Sequence, residues 1–203
     1  MDIRPPQIPV QPAQPAAPPA PKPVVIYFCA QVVHPATTKL RTALCNAVNI
    51  QVPSITIFMS SSGGMVEEGM SLYGFIRSLP VPITIHNIGC IDSIALAVYL
   101  AGSKRLANPD ATFLLHDFYF PQPIPVTNRH QASDISVGLS GARKRFMEIL
   151  KTSTKMTDEQ FESLKFLEEA SIKTAVTAKE VGITHEIQQA VVPAGAQLFN
   201  VEY

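Results

Sequence analysis

The sequence predicts an α/β protein built on a largely parallel sheet. Between residues 24 and 116, short β-branched or aromatic runs alternate with longer segments of helical spacing. Strands separated by helices are joined in parallel by right-handed crossovers. The composition agrees: 203 residues, 46% hydrophobic and 16% charged, suffice for one domain with a core of its own.

Residues 1–23 stand outside this pattern. "MDIRPPQIPVQPAQPAAPPAPKP" holds many of the 18 prolines. Proline fixes φ and removes a donor, so this stretch is expected to be an extended tail or spacer, with a PxxP ligand role as a second reading. The folded domain is then expected over residues 24–203. It opens with "VVIYF", a buried strand. "ATTKLRTALCNAVNI" places Leu40, Ala43, Leu44 and Val48 on one helical face. "SITIFMS" is a second strand. "GMVEEGMSLYGFIRSLP" is a helix with Val66, Met70, Tyr73 and Leu79 inward, stopped before Pro80. "ITIHNIG" is a third strand, "SIALAVYLAG" an apolar helix ending at Gly102, and "TFLLH" a fourth strand. The rest is mostly helical. "ASDISVGLSGARKRFMEILKTS" is a long amphipathic segment, and "MTDEQFESLKFLEEA" starts at a Thr157-Asp158 cap. "TAKEVG" and a strand-like "HEIQQAVV" follow.

Several function classes are disfavoured by composition. Lys+Arg and Asp+Glu balance at 16 each, so no global field draws the chain to nucleic acid or an anionic membrane. Cys29, Cys45 and Cys90 are odd in number and lack CxxC spacing. They read as small buried apolar residues in a reducing compartment, not as a disulfide frame or metal site. No apolar run is long enough to span a bilayer, and the N-terminus lacks a signal-peptide pattern. A cytoplasmic protein without cofactor or metal is expected.

Three polar features fall at strand ends, where parallel α/β units bind ligands. "SSSGGMVEEG" follows the second strand, and its paired glycines let backbone N–H groups approach a ligand closely. It is not a phosphate loop, since G-x-x-x-x-G-K-S/T is absent. In "GCIDSIALA", Ser93 starts a helix, and His116 closes "TFLLH". Each alone reads as a turn, an N-cap or a structural histidine. Together they compose a nucleophile, Ser93, a general base and acid, His116, and an oxyanion hole from the amides of Gly64 and Ile94. Such a donor is worth about 3–4 kcal/mol in the transition state.

In these residues the chain resembles the proteolytic subunit of the Clp protease. The family's "SPGG" loop appears as "SSGG", Ser61 to Gly64, and its "G-x-A-A-S-M-G-A" as "GCIDSIALA", with the nucleophile matching Ser93. Its "M-I-H-Q-P" appears as "LLHDF", with the base matching His116, and its downstream Ser/Thr-Ala segment as "TAVTAKEVGITHE". The likeness runs over residues 24–190. It implies the ClpP/crotonase fold, a spiral of β-β-α units with a projecting handle helix, here Gln131 to Thr152. It also implies a serine endopeptidase acting on unfolded polypeptides or peptides inside stacked heptameric rings, a homo-oligomer served by an AAA+ unfoldase. The handle's Ile135, Val137, Leu139, Phe146 and Ile149 are then expected to be covered by a partner ring.

The chain departs from the family at several positions, beginning with Ser62 in place of the loop's proline. The third triad residue of the family is an aspartate four positions before the Ser/Thr-Ala, which here is Ala170. Glu169, or Glu168 beside it, is the expected substitute. Asp92 and Ala95 replace Ala and Gly around the nucleophile, and Asp92 is expected to cap the helix. Asp117 is expected to turn away from His116, because neighbours on a strand alternate. The Pro-rich tail replaces the family's axial-pore segment. Two alternatives follow: a non-catalytic ClpP-like ring subunit, and a crotonase-type acyl-CoA enzyme, which needs no serine at the helix start. A Cys90–His116 pair is disfavoured because Cys90 lies before the turn.

Overall fold

A computed structural model of the chain describes residues 22–118, 128–163 and 170–201. Its elements are β1 (Val24–Cys29), α1 (His34–Asn49), β2 (Ile55–Ser61), α2 (Val66–Ser78), β3 (Ile83–Asp92), α3 (Ala95–Leu100), β4 (Lys104–Ala107) and β5 (Thr112–Leu115). They continue with α4 (Arg129–Ser153), α5 (Asp158–Ser163), β6 (Ser171–Thr174), α6 (Ala175–Glu180), β7 (Glu186–Ile187) and β8 (Gln197–Val201). The strands form one sheet in the order β6-β5-β3-β2-β1-β8, with β4 beside β3 and β7 beside β4. The sheet is parallel except at β5–β6. The expected α/β class and alternation are therefore observed.

The core follows from the apolar runs. Val24, Ile26, Phe28, Ile55, Ile57, Met59 and Ile85 are inaccessible or nearly so, in one core with α1's Leu40 and Leu44, α2's Leu72 and all of α3. In α2 the inward face is Gly69, Leu72 and Ile76, whereas Val66, Met70, Tyr73 and Leu79 are only partly buried. The cause is Gly69: its missing side chain admits Ile94, which would collide with a Cβ there, so the helix rolls onto that face. The cysteines also depart from expectation. Cys29 and Cys45 are exposed and Cys90 is half-buried, because Cys29 ends β1 on the open side and Cys45 lies on the outer face of α1.

Three strands lack an apolar signature and escape a pattern reading: β4, β6 and β8. The "HEIQQAVV" segment pairs only over Glu186–Ile187. The later Gln197–Val201 runs parallel to β1 in register Val24↔Gln197, and the Pro23 carbonyl already accepts from the Gln197 amide at 2.8 Å. Residues 1–21 of the expected tail lie outside the described residues.

The handle helix is α4, capped by the Asn128 side chain on the Gln131 amide. Its C-terminal half packs on its own chain through Ala142, Phe146 and Leu150, with Phe146 edge-on to Phe118 at 5.2 Å. Leu139, Phe146 and Ile149, expected to need a partner ring, thus find cover within the chain. Val137 stays 68% exposed on the projecting half. Thr157 caps α5 as expected, in a reciprocal pair: its Oγ1 accepts from the Gln160 amide, and Gln160 Oε1 accepts from the Thr157 amide.

β3 positions the site because it changes partner along its length. Thr84–Asn87 pair with β4, and Cys90–Asp92 pair with β5. The register against β2 slips at the same place, from Met59↔Asn87 to Ser61↔Ile91. Asn87, fully buried, holds the switch: its Nδ2 donates to the Thr112 carbonyl at 2.9 Å and its Oδ1 accepts from the Gly89 amide at 3.0 Å. Ser60 Oγ accepts from the Cys90 amide at 3.2 Å and fills the gap in the β2 ladder. Asn87→Ala leaves two partly buried backbone groups without these partners. It is expected to lower stability by about 2–3 kcal/mol, read from urea denaturation.

Candidate active site

The three polar features converge at the carboxyl ends of β2, β3 and β5. β3 ends at Asp92, and Ser93 follows with φ +55°. That left-handed conformation is uncommon for any residue but glycine and marks a tight, strained turn. The turn is held on three sides. The Ser93 amide donates to the Leu114 carbonyl of β5 at 2.9 Å, and the Ser93 carbonyl accepts from Leu96 at 3.0 Å. Ile94, fully buried, seats in the hollow over Gly69.

Ser93 therefore does not head its helix as a cap. α3 begins at Ala95, Ile94 occupies the cap position, and no side-chain bond closes that end. Asp92, expected to cap, is instead the last residue of β3. The physical reason is the sharpness of the turn: the chain reverses within Ser93 and Ile94, leaving no extended residue from which a side chain reaches back.

The glycine loop touches this turn directly. Gly63 has φ +89°, and a Cβ on it would lie 2.7 Å from Ser93 Cβ, 2.9 Å from the Asp92 carbonyl oxygen and 3.4 Å from Ser93 Oγ. Its amide donates to the buried Ser61 Oγ at 3.3 Å. Gly64 bridges to Val32: the Val32 amide donates to the Gly63 carbonyl, and the Met65 amide to the Val32 carbonyl, both at 2.8 Å. In such a bridge the N–H of Gly64 points away from Val32. A Cβ on Gly64 would lie 2.5 Å from the Val32 oxygen. Each glycine is required for a different contact.

His116 follows β5, two residues beyond the carbonyl that receives the Ser93 amide. Its Nδ1 stands 2.6 Å from the Asp117 backbone oxygen. A carbonyl only accepts, so Nδ1 carries the proton and the neutral ring presents Nε2 as its acceptor. The Asp117 carboxylate is engaged elsewhere: Oδ1 accepts from the Phe118 amide at 2.7 Å and Oδ2 lies 3.9 Å from Arg143 of α4.

β5 and β6 pair Leu115↔Ser171 antiparallel. The ladder ends there, one residue short of His116 on one side and of the exposed Ala170 on the other; Ala170 is a methyl group where the resemblance expects a carboxylate. Glu168 and Glu169 lie outside the described residues. Asp92 is half-buried on the same sheet. Burial raises its carboxyl above the usual range, opposed by the Leu114 amide, the Cys90 side chain and the charge of His116. Cys90 Sγ lies 3.7 Å from Ser60 Oγ. Among the described residues no cluster of three His, Cys, Asp or Glu side chains is placed to hold a metal ion, and no helix is long and apolar enough to cross a membrane. Sequence reasoning missed Ser60, Asn87 and Val32, which shape the site through backbone bonds; the register slip that needs them leaves no pattern in the sequence.

These elements define a ClpP-type α/β fold with a serine on its central turn. A mutant of ClpP1 from Listeria monocytogenes has the same fold, with a TM-score of 0.71 at 21% identity over 83% of this chain and 92% of that one. The Clp protease family profile matches residues 23–191, and the chain belongs to that family. The ATP-dependent Clp protease proteolytic subunit 3 of Synechococcus sp. (strain CC9605) is 30% identical over 139 residues, 66% of each chain. Subunit 2 of Prochlorococcus marinus (strain MIT 9313) is 28% identical over the same length and the same shares. The aligned part thus spans about two thirds of the curated relatives it matches.

Proposed function

We propose that this chain is the serine endopeptidase subunit of a cytoplasmic, ring-shaped homo-oligomer that hydrolyses unfolded polypeptides or peptides. The observation that carries the reading is Ser93 itself, a non-glycine residue at φ +55° with its Cβ and Oγ against the Gly63 backbone. Strain of this kind persists where surrounding contacts over-determine it, and it clusters at reactive sites. Ser93 Oγ attacks the scissile carbonyl carbon, and its proton passes to His116 Nε2. The tetrahedral oxyanion takes hydrogen bonds from the Gly64 and Ile94 amides. Collapse breaks the C–N bond, the leaving amine takes the proton from Nε2, and water then cleaves the acyl-enzyme by the same path.

Two stacked heptamers are the proposed assembly. Val137 on the projecting half of α4 is supported as a contact by its exposure. ATP enters only through a separate AAA+ unfoldase, which feeds the chamber.

A second reading, a ring subunit without catalysis, is favoured by Ala170 at the position where the family carries its aspartate. The Clp protease match leaves the acyl-CoA reading without support. The test is hydrolysis of a fluorogenic peptide by the purified full-length chain, with its mass measured by sedimentation. A ring that cleaves the peptide supports the proposal. A ring that does not cleave it supports the second reading, and a monomer at micromolar concentration contradicts both.

A further inference from the structure

We infer that Asp92 is a positioning residue for His116, its carboxylate supplying the negative charge beside which the imidazole becomes protonated. Its part in turnover rests on the serine-peptidase reading above; its placement rests on the sheet. In the parallel pair β3–β5, Asp92 is in register with Leu114, and paired residues share a face. His116, two residues past Leu114, returns to that face. Burial follows the same alternation. Ile91, Phe113 and Leu115 are buried on the helix side, while Asp92, Leu114 and His116 are half-buried on the other.

The surroundings of His116 make the carboxylate matter. The Asp117 carbonyl fixes the ring's tautomer, but it carries no net charge with which to stabilise an imidazolium. When Nε2 takes the Ser93 proton, the ring becomes cationic and Asp92 stays ionised; no proton reaches it. Other side chains reach this face among the described residues. β3 adds the Cys90 thiol, and β2 adds Ser60, 3.7 Å from Cys90. β6 adds Ile172 and Thr174, neither of them ionisable. The Asp117 carboxylate is occupied by the Phe118 amide and faces Arg143 of α4. In this chain the carboxylate absent from position 170 stands at position 92, next to the nucleophile.

Asp92 also carries a stability signature. A carboxyl pKa raised in the folded state means that the native chain binds the proton more tightly than the unfolded one. Above that pKa, ionised Asp92 lowers stability, and the cost disappears as pH falls through it. An asparagine avoids this cost, so Asp92→Asn is expected to melt no lower than wild type at neutral pH. A merely structural aspartate would lower the melting temperature on replacement.

The test measures the His116 pKa by NMR on the full-length chain with isotope-labelled histidine, assigned with His116→Gln, in wild type, Asp92→Asn, Asp92→Glu, Glu168→Gln and Glu169→Gln. Removing the carboxylate destabilises the imidazolium. In Asp92→Asn the His116 pKa is therefore expected to fall by about half a unit or more, with Asp92→Glu retaining most of the wild-type value. Peptide hydrolysis, which needs neutral His116, should show its acid limb shifted to lower pH by the same amount and a kcat lowered about tenfold. An unchanged His116 pKa in Asp92→Asn overturns the inference, as does a shift found only in Glu168→Gln or Glu169→Gln. A shift in Asp92→Asn without Ser93-dependent hydrolysis in any form upholds the Asp92–His116 coupling and overturns the peptidase reading.

Discussion

Ser93→Ala is expected to lower kcat for peptide hydrolysis about 10⁶-fold while the ring assembles as before; nucleophile removal in an unrelated serine protease has an effect of that order. The fold should be spared because the turn is held by the Ser93 amide on Leu114, the Ser93 carbonyl on Leu96 and the seat of Ile94 over Gly69. None of these needs the hydroxyl. Ser93→Gly sharpens the prediction. Holding an L-residue in the left-handed region costs about 1–2 kcal/mol, and glycine returns about 0.5–1 kcal/mol of that through the entropy of the unfolded chain. The glycine variant should therefore be about 0.5–1 kcal/mol more stable than wild type and equally inactive. Opposite signs for stability and activity at one residue are what strain held for function produces. A Ser93→Gly protein less stable than wild type would remove that argument.

Gly63→Ala carries the second large effect. At φ +89° an alanine is strained whatever the space around it, and its Cβ would press on Ser93 Cβ at 2.7 Å and on the Asp92 oxygen at 2.9 Å. Both are held by backbone bonds to β5, so relief comes only by displacing the Ser93 turn. Stability should fall by about 2–4 kcal/mol, from overpacking together with backbone strain. A displacement of about 1 Å at a nucleophile costs on the order of 10²-fold in rate. The checks are urea denaturation for the first effect and kcat in the fraction that remains folded for the second. Gly74→Ala, in the interior of α2 where a Cβ meets nothing within 4 Å, is the control, expected to leave kcat unchanged and to raise stability by about 0.5–1 kcal/mol.

Much of the fold was legible because the apolar runs are long and fully buried. β1, β2 and β3 read as strands and α1 and α2 as helices, since burial on the sheet needs β-branched runs and burial on one helix face needs helical spacing. The limits have particular causes. Gly69 reset the inward face of α2 through a close approach that periodicity does not encode. "KRLA", "SIKT" and "QLFNV" pair as strands at the sheet's margins, where neighbours rather than propensity decide.

The serine, the glycine pair and the histidine could be singled out as candidates, because a polar residue at the head of an apolar run invites a reason. The left-handed turn at Ser93 was not readable, since no residue type there announces it. The hold of Asp117 on His116 was not readable either, because it is made by a backbone carbonyl. The family pattern pointed to Ala170 as the position without a carboxylate, and the β5–β6 pairing stops at Leu115↔Ser171, next to both His116 and Ala170.

The central claim is that Ser93 is an activated nucleophile. The measurement that reaches it most directly is labelling of the purified full-length chain with a fluorophosphonate probe, followed by mapping of the adduct. One adduct is expected, on Ser93, abolished in Ser93→Ala and retained in Ser61→Ala and Ser62→Ala. An adduct on Ser61 or Ser62, labelling that survives Ser93→Ala, or an assembled wild-type ring that takes no label would contradict it.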